Sequence, residues 1–219
     1  MRKCHTSTDF TRRAINISHL KFLIPILTIT AAILCYTAIT YDRLPGDLLT
    51  STWIQRVHFP GAPRTMQIFS TAGNPYVIAG LGIVFAGYLF SIGRRYEACS
   101  FCTLVVFTFL STYIFKELID RPRPTEDLVR IWGTHVGMSF PSGTTLNSFV
   151  VLGAISFILP SIATISRIVV LASKMLVIPI ILIGISRIYL GAHWPSDVLG
   201  AYVLGTLFLC LFILFSRKA

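Results

Sequence analysis

The chain has 219 residues, 54% of them hydrophobic, with a mean hydropathy of +0.73 and a formal net charge of +10. That hydropathy excludes an ordinary water-soluble domain and makes a bilayer the expected solvent. The positive balance does not describe a nucleic-acid-binding face, because the basic residues gather at the ends of apolar runs.

A spanning helix needs about 20 mostly apolar residues. In chain order, such runs lie near 21–39, 72–92, 98–116, 146–165, 168–186 and 197–216. They predict an all-α, polytopic membrane protein with six transmembrane helices and a single domain over 1–219, of which 1–20 form a short basic tail. The N-terminus has no short apolar core followed by a small-residue cleavage site, so the first run reads as a retained span.

Arg2, Lys3, Arg12, Arg13, Lys21, Arg94, Arg95, Arg167, Arg217 and Lys218 fall in the ends and turns of one side, opposed only by Asp9 and Glu97. The positive-inside bias puts that side, with both termini, in the cytoplasm. The segments 40–71, 117–145 and 187–196 are then expected outside, on the periplasmic or exterior face of an inner, plasma-type membrane.

Within 40–71, Pro45, Gly46, Pro60, Gly61 and Pro63 break any long helix. Leu48, Leu49, Trp53, Ile54 and Val57 between the breakers suggest a short amphipathic helix at the interface, with Trp53 as a headgroup-level anchor. Ordinary loop packing explains them equally well. Pro122 and Pro124 forbid helix after the third span. Lys174, a turn or two from the inner face, fits snorkelling better than an ion pathway. Cys4, Cys35, Cys99, Cys102 and Cys210 fall mostly in or beside apolar runs, where cysteine acts as a small hydrophobe. The lone Cys99-x-x-Cys102 pair lacks a second ligand pair for a metal.

Three outer segments carry the chemistry. Lys116 through Arg123-Pro124 ends the third span, Pro141-Ser142-Gly143-Thr144 begins the fourth, and Ser186-Arg187 through His193 to Asp197 joins the last two. Lys116, Arg123 and Arg187 offer three cations, two with forked donors that match phosphate oxygens. Ser142 offers a hydroxyl. Gly143 admits close approach at a helix N-terminus, which already favours anions. A neutral His193 is a nucleophile, and Asp197, four residues on, is spaced to accept from one ring nitrogen and leave the other free. Taken singly, His193 is a structural histidine, the arginines are headgroup contacts and Asp197 is a helix cap. Together at these spacings they describe a phosphate site.

The pattern Lys-x6-Arg-Pro, then Pro-Ser-Gly, then Ser-Arg-x5-His-x3-Asp resembles the type 2 phosphatidic acid phosphatase superfamily. The resemblance implies that His193 attacks phosphorus to form a phosphohistidine, that water then releases phosphate, and that Lys116, Arg123, Ser142, Gly143 and Arg187 hold the phosphoryl oxygens with Asp197 supporting the nucleophile. It implies no metal and no cofactor. Arg121-Pro122 is a competing Arg-Pro pair, two residues too close to Lys116.

The second motif departs from the family, with Thr144 where a histidine usually stands to protonate the leaving oxygen. Threonine is no general acid near neutral pH. The expectations are therefore a slow or silent lipid-phosphate binder, a substitute acid such as His135, or a substrate whose leaving group needs no proton. A phosphate leaving group meets the last condition, which favours a polyprenyl diphosphate. Lipid A, glycerophospholipid phosphates and phosphotransfer to a second acceptor remain open. The expected partners are the lipid phosphate and the bilayer. A transporter is disfavoured because the charges sit at helix ends instead of the midplane.

Overall fold

The computed structural model describes residues 17–162 and 167–216, and helix is the only regular secondary structure among them. The basic residues expected at the chain ends (Arg2, Lys3, Arg12, Arg13, Arg217, Lys218) and Cys4 lie outside the described residues. Among the described residues, nine helices follow in order: α1 Ile17–Thr40, α2 Asp47–Gln55, α3 Ala62–Ala72, α4 Pro75–Ser91, α5 Arg95–Ile119, α6 Gly143–Ile162, α7 Arg167–Met175, α8 Val177–Tyr189 and α9 Pro195–Ser216.

Five segments are long and apolar enough to cross a membrane: α1, α5, α6, α9 and the consecutive pair α7–α8. The pair α3–α4, bent by 45°, supplies a sixth. All six correspond to the apolar runs of the sequence. Their outer faces carry Phe22, Ile26, Ile29, Ile83, Val106 and Leu110 in exposed positions, as lipid-facing helices require.

The loop 40–71 is more ordered than its prolines and glycines suggest, and α3 is the element that sequence reading missed. Pro63 stands in the first turn of α3, where its missing N–H costs nothing. Gly61 supplies the left-handed residue before it, with φ 81°. Helix α2 is the expected amphipathic element, with its polar stripe turned inward. Asp47, Ser51 and Gln55 are buried, whereas Leu49 and Trp53 face out. An outward Trp53 suits an interfacial anchor.

Helix α6 is the centre of the bundle and packs against α4, α5, α7, α8 and α9. Lipid tails are as apolar as leucine, so membrane helices associate through close fit. Here glycines receive large side chains from neighbouring helices. A methyl group on Gly205 of α9 would lie 2.6 Å from the ring of Phe149 on α6, and one on Gly153 of α6 would lie 2.6 Å from Leu209 on α9. One on Gly200 would lie 2.5 Å from the Phe140 ring, and one on Gly184 of α8 would collide with the Tyr202 hydroxyl of α9.

At the end of the bundle that holds Arg94 and Arg95, Arg94 Nη1 pairs with Glu97 at 2.8 Å and Nη2 donates to the Ser161 carbonyl at 3.0 Å. Lys174 is exposed on α7. Cys99 and Cys102 are both exposed as free thiols on α5.

Gly184→Ala should overpack the α8–α9 contact and cost about 1–3 kcal/mol. The expected readout is a lower thermal midpoint in detergent, largely restored when Tyr202→Leu is added to the same chain.

Candidate active site

The site forms where the ends of α5 and α8, and the segment that follows each of them, meet the N-termini of α6 and α9. Lys116 lies in the last turn of α5 and Arg187 in the last turn of α8. Asp120, in the left-handed conformation with φ 51°, ends α5. Each of Arg121 and Arg123 then precedes a proline, which holds both in extended backbone.

The two arginines do different work. Arg121 is fully buried. Its Nη1 donates to Asp197 Oδ1 at 2.6 Å and to Ser196 Oγ at 2.8 Å, its Nη2 to Asp47 Oδ2 at 2.9 Å, and its Nε to the Asp42 carbonyl at 3.2 Å. Asp47 also accepts from the Ser196 backbone N–H at 2.9 Å and from Ser196 Oγ at 2.7 Å. A carboxylate from α2 therefore satisfies the start of α9, where negative charge is favoured. Arg121, the pair that looked out of register, is the centre of this support.

Arg123 points into the site. Its Nη1 donates to His193 Nε2 at 3.2 Å and to the Ala192 carbonyl at 2.6 Å. Its Nε and Nη2 hold the carbonyls of Gly137 and Val136 at 2.7 and 3.0 Å. Lys116 Nζ donates to the Met138 carbonyl, and Arg187 Nη1 donates to Ser70 Oγ of α3. The Arg187 Nε is buried with no partner among the described residues.

The expected direct bond from His193 to Asp197 is not what the structure shows. Nδ1 lies 3.6 Å from Asp197 Oδ2, too long for a hydrogen bond. Ser139 stands between them: its Oγ donates to Asp197 Oδ2 at 2.5 Å and lies 3.4 Å from His193 Nδ1. A relay from Nδ1–H through the serine hydroxyl to the carboxylate leaves the Nε2 lone pair facing Arg123. The Trp194 backbone N–H also donates to Asp197 Oδ2, at 2.9 Å.

Burial pushes the His193 imidazole well below its ordinary value, and Arg123, Arg187, Lys116 and His135 push the same way. The ring is held neutral, the form a nucleophile needs. Burial also lowers the Arg123 guanidinium, opposed by Asp197.

Ser142 and Gly143 begin α6. Ser142 Oγ pairs with Thr145 Oγ1 at 2.9 Å, and its N–H donates to the Asp197 carbonyl at 3.2 Å. A methyl group on Gly143 would lie 2.9 Å from the Thr112 methyl of α5. The close approach that glycine permits here is therefore to the end of α5. Half-buried Thr144 sets its methyl against Gly73, at the bend between α3 and α4. His135 lies near enough to Arg187 and Arg123 for their charges to lower its imidazole, after burial itself.

Lys116, Arg123, Arg187, His193 and His135 share one region, coupled through the imidazole of His193. Asp197 and the start of α6 back it. Ser139, Asp47, Ser196 and Ser70 were not singled out from sequence. Ser139 alone had a signal, three residues before Ser142.

These features define a polytopic all-α membrane protein whose spans gather basic side chains and one buried imidazole at one end. A model of the PAP2 superfamily matches residues 97–219, and the chain belongs to that superfamily, the type 2 phosphatidic acid phosphatases. It is 34% identical over 110 residues to phosphatidylglycerophosphatase B of Bacillus subtilis (strain 168). The match covers 48% of this chain and 51% of that relative, so the chain spans about half the length of the curated relative it matches.

Two solved structures share the fold. The transmembrane PAP2-type phosphatidylglycerolphosphate phosphatase of Bacillus subtilis superposes with a TM-score of 0.80 at 24% identity, over 90% of this chain and 97% of the other. Aquifex aeolicus LpxE superposes with a TM-score of 0.60 at 24% identity, over 81% of this chain and 98% of the other.

Arg121→Ala leaves two buried carboxylates unpaired and should cost about 3–5 kcal/mol. A thermal midpoint in detergent unchanged by this substitution would contradict the account. The imidazole of His193 binds its proton less readily folded than unfolded, so stability falls as pH drops below the unfolded value near ~6.5 and levels off below the folded one. His193→Gln should flatten that part of the midpoint–pH curve.

Proposed function

We propose that the chain is a membrane lipid phosphatase that removes a terminal phosphate through a phosphohistidine on His193. One observation carries the reading: a buried, neutral imidazole turns Nε2 towards Arg123 while the charges of Arg187 and Lys116 act on the same ring. A phosphoryl group drawn in by those cations meets the lone pair.

The electron pair on Nε2 forms the N–P bond as the bond to the leaving oxygen breaks. Asp197 and Ser139 stabilise the positive ring. Lys116, Arg123 and Arg187 hold the phosphoryl oxygens as charge redistributes, and that positioning is most of what phosphoryl transfer requires. Water then attacks phosphorus and returns the pair to the ring. No step calls for a metal ion. By the positive-inside count the site opens to the periplasm or exterior, and both termini are cytoplasmic.

The names of the relatives support a lipid phosphate as substrate. One is called a phosphatidylglycerophosphatase and one a phosphatidylglycerolphosphate phosphatase. Thr144 tilts the choice towards a lipid diphosphate such as a polyprenyl carrier, because a phosphate leaves without the proton that an alkoxide needs.

Purified protein in detergent with excess chelator should release inorganic phosphate from polyprenyl diphosphate, and more slowly from phosphatidylglycerophosphate. His193→Ala should reduce release from both to background, and Arg123→Ala should lower turnover about 10²–10³-fold. Full activity in His193→Ala, or a strict need for a divalent ion, would overturn the mechanism. Phosphate appearing only on a second acceptor, never free, would make the protein a phosphotransferase.

A further inference from the structure

The His193 site contains a second imidazole that the reaction above does not use. Gly133 and Gly137 flank His135, with φ of 88° and 77°. The chain is anchored just before it, where the Trp132 N–H donates to the Leu190 carbonyl at 3.0 Å. The His135 ring lies beside the backbone of Leu190 and Trp132. Its Nε2 is nonetheless buried with no hydrogen-bond partner among the described residues. A buried ring nitrogen without a partner is costly. The charged groups around it are Arg187 from the end of α8, Arg123 from the extended segment and His193 itself. Arg187 Nε is the other buried donor of the site without a partner. Two such donors beside one nucleophile mark where an incoming oxygen would be received.

We propose that His135 is the general acid of the reaction, giving its Nε2 proton to the leaving oxygen. The inference rests on the phosphatase reading. As the P–O bond to the lipid breaks, its electron pair goes to the lipid oxygen, which takes the proton of the His135 imidazolium and departs as an alcohol. Water then attacks phosphorus as the N–P pair returns to His193, the water's proton goes to solvent, and the neutral His135 takes a proton from solvent. Inorganic phosphate leaves and His135 is protonated again. Burial, Arg187 and Arg123 hold the empty-site imidazole below its ordinary value, and an arriving phosphate anion opposes those cations and favours the protonated form.

The need for such an acid depends on the leaving group. A lipid alkoxide needs the proton, and a phosphate leaves without it. His135→Gln should therefore lower kcat on phosphatidylglycerophosphate about 10²–10⁴-fold with KM little changed. It should change kcat on polyprenyl diphosphate by less than about tenfold, and it should remove the alkaline limb of the kcat/KM profile seen with the monoester alone.

Retained diphosphate turnover shows that the variant is folded. Equal loss on both substrates, or no loss on either, overturns the inference. If His135→Gln does not fold, the wild-type pH profiles decide: an alkaline limb for the monoester and none for the diphosphate supports it, and identical profiles overturn it. A wild type that cleaves only the diphosphate overturns it too. Failure of the phosphatase reading looks different, with His193→Ala no less active than wild type or no phosphate released from either lipid.

Discussion

One guanidinium shared by two carboxylates holds this end of the molecule together. Arg121 binds Asp47 and Asp197 at once and has no exposure to solvent. Removing three charges from water is expensive, and only near-complete pairing makes it tolerable. The pairing ties α2, the segment after α5 and the first turn of α9 into one unit. The Ser139 N–H donates to the Arg121 carbonyl at 2.8 Å, so the same residue also sets the serine that stands between His193 and Asp197. The imidazole of His193 is oriented at second hand, by a cation that never touches it.

Around that support the charges divide by task. Asp47 and Asp197 neutralise Arg121 and the start of α9. Lys116, Arg123 and Arg187 have no carboxylate within salt-bridge distance among the described residues, and carbonyls and a hydroxyl occupy part of their donor capacity. Burial first, and their uncompensated charge after it, hold His193 neutral. Burial and like charge act in the same direction on that ring, whereas Asp197 accepts hydrogen bonds from Arg121, Ser139 and the Trp194 N–H. A neutral imidazole and a fully hydrogen-bonded carboxylate therefore stand four residues apart.

The spans were legible because about twenty apolar residues admit few other fates. The cation and imidazole positions were legible because their spacing follows the helix ends. What stayed hidden depends on tertiary contact. Asp47 sits in a stretch of breakers and gives no hint that it caps a helix about 150 residues away. Helix α3 was hidden because Gly61 and Pro63 begin a helix as readily as they end one. Arg121 and Arg123 share a local sequence environment, and spacing from Lys116 picked out the one that reaches His193. The weight that Arg121 carries is visible only in its partners. Ser139 was missed because an i to i+4 spacing suggests a direct His–Asp bond, and the folded loop leaves that gap wide enough for a hydroxyl.

The glycine notches on α6, α8 and α9 also govern how the protein meets bilayers of different thickness. Phe149 in the Gly205 notch, Leu209 in the Gly153 notch and Tyr202 against Gly184 lock these helices in register, because sliding any one of them would drive a ring or a branched chain into backbone. Helix α1, mostly lipid-exposed and packed chiefly along α9, carries no such interlock among those contacts. Hydrophobic mismatch is absorbed by tilt at modest cost per ångström. A thinner or thicker membrane would therefore lean α1 first, and the three locked helices would hold Arg187, Gly143 and Asp197 at one depth.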